Sequence, residues 1–306
     1  MTDASLSRPP HTWQIWWMAA RPKTLPASLA GVVAGLGLAW AQGVFRPGVA
    51  LATLVAAMLL QIGVNLANDA QDYQRGADRP EERLGPPRVT ALGWLPPETV
   101  FRGAWVTFGL AALVGAYLVW VGGWPILAIG LAAILSAWAY SGGPYPLGYH
   151  GLGEVFVFIF FGPVAVAGTY YLQTGAWHPW AGWVGTGVGL LVTAILVVNN
   201  YRDLETDARA GKRTLAVRLG RRGTQVEFAL LLLMPYLLPL VGYALGHTPA
   251  TWLVVFFTFP QALGLLWAFR TRTGRALNPL LVQTGQLALV YALLSAVGFI
   301  VARYIA

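Results

Sequence analysis

The sequence has no cysteine, only four histidines, and only twelve Asp and Glu in 306 residues. Without cysteine, disulfides, thiolate metal sites and a cysteine nucleophile are excluded. His11, His150, His178 and His247 are scattered along the chain and form no spacing that would hold zinc. Charge of either sign is scarce, at 10% of residues where soluble domains carry about 25%. That scarcity excludes an ordinary water-soluble domain. A short apolar core followed by a small-residue cleavage site is also missing from the polar, Pro-rich start, so no cleavable signal peptide is expected.

What is abundant is hydrophobic sequence, 57% of the chain. Apolar runs long enough to cross a hydrocarbon core of about 30 Å recur from end to end and leave no room for a separate soluble domain. They predict an all-α polytopic membrane protein with nine transmembrane helices, over 26–44, 48–67, 100–121, 124–140, 152–172, 180–199, 226–245, 250–269 and 279–302. The runs are continuous rather than alternating, which favours helices over barrel strands. Residues 1–306 are thus expected to form a single membrane-embedded domain. Residues 1–25 would be an interfacial lead-in carrying Trp13, Trp16 and Trp17 at headgroup depth.

Every Lys and Arg except Arg46 and Arg303 falls on one side of this topology. By the positive-inside rule that side is cytoplasmic, together with the N-terminus, and the C-terminus lies opposite. The expected location is the inner or plasma membrane of the cell. A net charge of +8 does not imply nucleic acid, because the basic residues sit in loops beside membrane ends, where anionic headgroups explain them.

The acids are not scattered. Eight of the twelve, Asp69, Asp72, Asp78, Glu81, Glu82, Asp203, Glu205 and Asp207, fall in two segments at the ends of the second and sixth spans. These segments open the cytoplasmic loops 68–99 and 200–225. The first is long and Pro-rich, with mixed charge that favours a folded cap. Four helices separate the two clusters, which places both on one membrane face and suggests two diverged four-helix halves, with a ninth helix added, around one cavity.

At helical spacing Asp69 and Asp72 are three apart and Asp203 and Asp207 four apart, so each pair projects from one face. Two carboxylates about 4 Å apart repel by roughly 4 kcal/mol at an effective dielectric near 20, a cost that a divalent cation removes. An all-oxygen donor set favours the hard ion Mg²⁺. Nearby Arg83, Arg88, Lys212 and Arg213 are placed to meet a phosphate-rich anion bridged by that metal. The competing reading is solvated charge at helix ends, pairing with Arg75, Arg79 and Arg202.

Several ordered segments carry a further likeness: Ala20-Arg21-Pro22-Lys23-Thr24-Leu25-Pro26-Ala27-Ser28, Asn65-Leu-Ala-Asn68-Asp69, Gly85-Pro86-Pro87-Arg88, Gly142-Gly143-Pro144-Tyr145-Pro146, Gly151-Leu-Gly-Glu154, Arg202-Asp203-Leu-Glu-Thr-Asp207, Gly211-Lys212-Arg213-Thr214 and Gln283-Thr284-Gly285. With these the chain resembles the UbiA superfamily of membrane prenyltransferases, and within it the branch acting on 1,4-dihydroxy-2-naphthoate. The resemblance implies two Mg²⁺ bridging the diphosphate of an allylic polyprenyl donor, one held by Asp69 and Asp72, the other by Asp203 and Asp207. Asn68 and Asn199 would assist, and Asp78 would be the third acid of the first motif. It departs from the broader superfamily spacing, because Gly76 stands four residues after Asp72 and the acid comes two later.

The reaction so implied is loss of diphosphate to give an allylic cation, attack by the electron-rich naphthalene ring, and loss of carbon dioxide. Lys23 and Arg88 would serve the diphosphate, with Arg21 or Lys23 free to hold the acceptor carboxylate. Tyr140, Tyr145 and Phe156 would either face the cation or pack as ordinary aromatics. Glu154 would either meet the dipole at a helix start or order the acceptor. Two other readings stand beside this one: a related enzyme with a 4-hydroxybenzoate or homogentisate acceptor, and a secondary transporter, whose ionisable residues would sit nearer the bilayer midplane.

Overall fold

The apolar runs fold as helices in a computed structural model that describes residues 10–76, 81 and 83–305, and no strand occurs among them. In chain order the helices are α1 (Thr12–Ala20), α2 (Leu25–Ala41), α3 (Pro47–Gln74), α4 (Pro97–Gly122), α5 (Trp124–Ala139), α6 (Gly153–Ile159), α7 (Ala165–Thr174), α8 (Pro179–Arg202), α9 (Leu204–Arg209), α10 (Leu215–Ala244), α11 (Phe259–Thr271) and α12 (Asn278–Ile305). Among the described residues eight helical stretches are long and apolar enough to cross a membrane, and α5 is a shorter apolar helix. The nine expected spans therefore correspond to eight full-length stretches plus this one.

Boundaries differ where local chemistry overrides hydropathy. α3 continues past the apolar run to Gln74, so Asn68, Asp69 and Asp72 are helical. The expected loop 200–225 is instead mostly helical, comprising the end of α8, α9 and the first turns of α10. α10 starts eleven residues before its predicted span, where Thr214 caps it by accepting from the Val217 N–H, and Gly220, at φ 66°, breaks its line. Between α6 and α7 a π-turn spans Phe160–Val164, because Pro163 has no N–H to continue the α ladder.

α1 is amphipathic as expected. Ile15 and Ala19 are buried against Leu66, Ala67 and Ala70 of α3, while Trp13 and Trp17 are exposed. Arg21 breaks it from α2 with φ 52°, the sole positive φ outside glycine among the described residues. Asn65 of α3 stabilises that turn by donating to the Ala20 carbonyl (2.9 Å) and to Thr24 Oγ1 (3.0 Å).

In each half the acid-bearing helix packs on the long helix after its loop, α3 on α4 and α8 on α10. α2 lies centrally against α12, α7 and α8. Glycine permits these close crossings. A Cβ added at Gly31 would fall 2.6 Å from Ala165 Cβ, one at Gly63 2.5 Å from the Phe108 ring, and one at Gly162 2.5 Å from the Gly185 carbonyl. Lipid gives no hydrophobic drive between helices, so such backbone approach supplies the packing energy.

Candidate active site at the membrane face

A cavity of about 1540 Å³ lies inside the helices, larger than the 300–1,000 Å³ typical of small-molecule pockets. Both acidic clusters reach it. Asn68 and Asp72 line it from α3, Asn199 from α8, and Asp203 and Asp207 from the α8–α9 junction. Arg21, Lys23, Arg83, Arg88, Lys212 and Tyr140 line it as well. The two segments, separated by about 130 residues, thus face one another across one space.

Asp69 does not face that space. Its carboxylate accepts from the Val89 N–H (3.3 Å), the Thr90 N–H (3.2 Å) and the Thr90 hydroxyl, and Thr90 Oγ1 also reaches the Asp69 carbonyl. Asp69 and Thr90 are 1% and 2% exposed. The helix turn explains the swap. Asn68 and Asp72 are four apart and share the cavity face, whereas Asp69 is rotated about 100° from Asn68, towards the cap. The structure thus brings Asn68 and Asp72 to the cavity face, while Asp69 anchors the 83–96 segment.

In the second cluster both expected acids line the cavity, but across the α8–α9 junction rather than from one helix. Asp203 and Asp207 are not on one continuous helix, because α8 ends at Arg202 and Asp203 stands between it and α9 with φ −96° and ψ 8°. The Asp207 N–H still bonds the Asp203 carbonyl at 2.8 Å, which keeps both acids at the cavity. Arg202 locks the junction. It donates to Asp203 (2.8 and 2.5 Å), Asn199 Oδ1 (2.7 Å) and Asn278 Oδ1 (2.8 Å), while Asn278 donates to the Leu84 carbonyl (3.0 Å). The guanidinium passes so close to Gly85 that a Cβ there would lie 2.6 Å from it. One arginine thus ties the second acid motif, α12 and the cap together, a role its place in Arg202-Asp203-Leu-Glu-Thr-Asp207 does not reveal.

Bases and acids alternate around the rim. Arg88 pairs with Asp72 at 3.1 Å and Lys212 with Asp207 at 3.7 Å. Burial pushes the Asp207 carboxyl up to about 6; Lys212 opposes the rise and Asp203 and Asp72 add to it. Burial pulls the Lys212 ammonium down, but Asp207 and Asp72 outweigh it and hold Lys212 above its usual value. Arg83 reaches the cavity while its Nε donates to the Pro86 carbonyl at 2.7 Å, and Lys23 is exposed at the cavity wall.

Tyr149 is a site residue that no sequence motif indicated. Its hydroxyl donates to Asp72 Oδ1 at 3.1 Å, and its ring lies under Lys212 (5.3 Å) and Arg75 (5.5 Å). Among the other expected residues, Arg213 lies outside the cavity, where its backbone N–H holds the Tyr149 carbonyl at 3.0 Å. Tyr145 stacks on His150 with centroids 3.6 Å apart, on an exposed turn away from the cavity. Phe156 does line the cavity. Glu154 is buried behind the wall and accepts from Asn200 Nδ2 at 2.8 Å, with Asn200 facing inward. Asp78 lies outside the described residues.

The donor set fits magnesium. Asn68 Oδ1 and Asp207 Oδ2 are buried without a hydrogen-bond partner among the described residues. No group of three or more His, Cys, Asp or Glu converges on one point among those residues. Mg²⁺ suits such sparse oxygen sites, since it keeps few protein ligands and completes its shell with water and phosphate oxygens.

Residues 28–290 match the model of the UbiA prenyltransferase family. The chain is 42% identical to the 1,4-dihydroxy-2-naphthoate octaprenyltransferase of Mycobacterium tuberculosis, over 91% of this chain and 94% of that one. It is 36% identical to the Escherichia coli enzyme of the same name over the full length of both. In fold it is similar to a UbiA homolog from Archaeoglobus fulgidus solved with DMAPP and Mg²⁺, with a TM-score of 0.67, 13% identity, and coverage of 94% and 99%. The UbiA homolog from Aeropyrum pernix gives 0.67 at 17% identity over 92% and 98%.

Proposed function

Because this chain belongs to the UbiA prenyltransferase family, we propose that it transfers a polyprenyl group from an allylic diphosphate to 1,4-dihydroxy-2-naphthoate, releasing diphosphate and carbon dioxide. The observation that carries the reading is the meeting of two Asn/Asp clusters and their basic partners at one end of a long apolar cavity, in a chain similar along its whole length to enzymes of that name. The whole of 1–306 serves as one membrane-embedded unit, integral to the inner membrane, with α1 and both motifs at the cytoplasmic face and the C-terminus opposite. The charge asymmetry of the loops supports this orientation.

Asn68 and Asp72 on one side, and Asn199, Asp203 and Asp207 on the other, hold the Mg²⁺–diphosphate head group. The ions supply positive charge where the leaving oxygen gains negative charge. Arg88 and Lys212, already paired with Asp72 and Asp207, sit beside these ligands and neutralise the departing diphosphate. Lys23 and Arg83 extend the positive wall on the side of α2 and the cap.

The allylic C–O pair leaves with diphosphate. Tyr140 and Phe156 line the apolar space below the acids, where their ring faces stabilise the allylic cation. The electron-rich ring of the acceptor forms the new C–C bond at the carbon bearing the carboxylate. The pair of the old C–C bond returns to the ring as carbon dioxide departs, so the step balances without an oxidant. Arg21, held at a strained φ by the Asn65 hydrogen bonds to its neighbours, is placed to take the acceptor carboxylate before it leaves.

The test is a mass-spectrometric product assay on purified protein with Mg²⁺ and an allylic diphosphate, offering 1,4-dihydroxy-2-naphthoate and 4-hydroxybenzoate in separate reactions. A prenylated, decarboxylated product from the naphthoate alone is expected. Product from 4-hydroxybenzoate alone would keep prenyl transfer and overturn the acceptor.

A further inference from the structure

One polar side chain on the cavity wall takes no part in the head-group site. Asn200 of α8 comes three residues before Asp203, about 4.5 Å below it along the helix axis, and lines the same cavity. It is 4% exposed, and Glu154, at 6%, stands behind it without reaching the cavity. The Asn200 Nδ2 donates to Glu154 Oε1 at 2.8 Å. That bond decides which way the amide faces, because the flipped amide would set its oxygen against an acceptor-only carboxylate. Asn200 Oδ1 therefore points the other way. It has no hydrogen-bond partner among the described residues, and unlike Asn68 Oδ1 it is not occluded by protein atoms. On a residue so deeply buried, the space left for it to face is the cavity. An acceptor oxygen turned into an apolar cavity is costly until a donor meets it.

The neighbours of Asn200 place it beside the reacting carbon. Tyr140, the aromatic assigned to the allylic cation, packs against the start of α6, where a Cβ added at Gly153 would lie 3.1 Å from the Tyr140 hydroxyl and 3.2 Å from Leu196 Cδ2. Leu196 lines the cavity one helical turn from Asn200. Tyr140, Leu196 and Asn200 thus form one patch of wall, apolar except for the amide oxygen.

We propose that Asn200 Oδ1 accepts a hydrogen bond from a ring hydroxyl of the aromatic acceptor, and that Glu154 is a positioning residue that keeps this oxygen turned towards the ring. The inference rests on the prenyl-transfer reading of the same cavity and names what the cavity recognises in its acceptor. A hydroxyl can donate to Oδ1 and a carboxylate cannot, so the acceptor's own carboxylate is turned from this wall towards the bases. The bond also favours the chemistry. Accepting from the O–H shifts electron density from that oxygen into the ring as it attacks the cation, and the proton stays on its oxygen.

The test is calorimetric binding to the full chain in detergent with Mg²⁺ and pyrophosphate, which fill the head-group site without turnover. The ligands are 1-hydroxy-2-naphthoate, 4-hydroxy-2-naphthoate and 2-naphthoate. One of the two hydroxylated ligands is expected to bind wild-type protein at least about tenfold tighter than 2-naphthoate, because a site built around a hydroxyl penalises the analogue that lacks it. In the double variant Asn200→Leu/Glu154→Met, which removes both partners and leaves no buried charge unpaired, the ratio should fall below about twofold while KM for the allylic diphosphate stays near the wild-type value. Glu154→Gln keeps Asn200 but lets its amide turn either way, so the ratio should fall to an intermediate value.

A wild-type ratio near one, or a ratio that survives the double variant, would overturn the assignment of Asn200, and an unchanged ratio in Glu154→Gln would overturn the positioning role. Should the double variant fail to fold, Asn200→Ser, which still donates to Glu154 but withdraws the carbonyl, is read in the same way. No naphthoate binding and no product in the wild-type assay would instead sink the prenyl-transfer reading.

Discussion

The Tyr149 hydroxyl donates to the Asp72 carboxylate at 3.1 Å, across 77 residues of sequence. Asp72 faces the cavity from the acid motif of α3, and Tyr149 belongs to the turn after α5, so the bond fixes one carboxylate rotamer from a separate element. A bond from a neutral donor to a charged acceptor contributes about 1.5–3 kcal/mol. In metal sites, partners of this kind orient the ligand itself.

Tyr149→Phe is accordingly expected to raise the Mg²⁺ concentration for half-maximal activity by about tenfold, the equivalent of about 1.4 kcal/mol, and to lower kcat at saturating Mg²⁺ much less. Titration of Mg²⁺ in the presence of pyrophosphate, read by thermal shift, measures the same change without turnover. An unaltered Mg²⁺ requirement would show that the hydrogen bond does not serve the metal.

Asp72→Asn and Asp207→Asn remove charge from the cavity face. Each is expected to cost about 10²–10³-fold in kcat, the scale seen when one preorganised electrostatic group is lost. The thermal midpoint in detergent should change little, but the stabilisation of wild-type protein by Mg²⁺ plus pyrophosphate should vanish. Retained stabilisation in both variants would remove these two residues from the metal site.

Asp69 is expected to behave differently. Asp69→Ala leaves the Val89 and Thr90 N–H groups and the Thr90 hydroxyl without their buried acceptor, at about 1–3 kcal/mol for each donor left unsatisfied. The thermal midpoint should fall markedly and the 83–96 segment should become sensitive to protease. A variant with wild-type stability and no activity would instead return Asp69 to the ligand set.

Arg202→Lys keeps the charge and loses the fork that spans Asp203, Asn199 and Asn278. Both stability and activity should drop, and Gly85→Ala should reproduce part of the effect by pushing the guanidinium aside. Thermal melts and initial rates on the two variants check this. An Arg202→Lys protein equal to wild type in both would show that the fork is dispensable.

Chelation gives the simplest check. EDTA should abolish turnover, Mg²⁺ should restore it, and far-UV circular dichroism should stay constant throughout, because the helices are held by their own apolar packing.

The sequence by itself determined the all-α membrane class, the clustering of acids at the ends of two spans, and the hard-oxygen character of the site. These properties are one-dimensional. Apolar run length sets whether a helix spans lipid, and composition sets which metal a donor set prefers. Even the meeting of the two motifs was legible, since an even number of crossings returns the chain to the same face.

Only the tertiary structure decided which carboxylates face the cavity. Spacings of three and four residues both share a helix face with a neighbour, so Asn68-Asp69-Ala-Gln-Asp72 is compatible with either Asp69 or Asn68 as the partner of Asp72. The cap settles it, because the buried N–H groups of Val89 and Thr90 need an acceptor and Asp69 is the one within reach. Arg202 and Tyr149 were hidden for the same reason. Each acts through contacts between elements far apart in sequence, and no local pattern of residues encodes that.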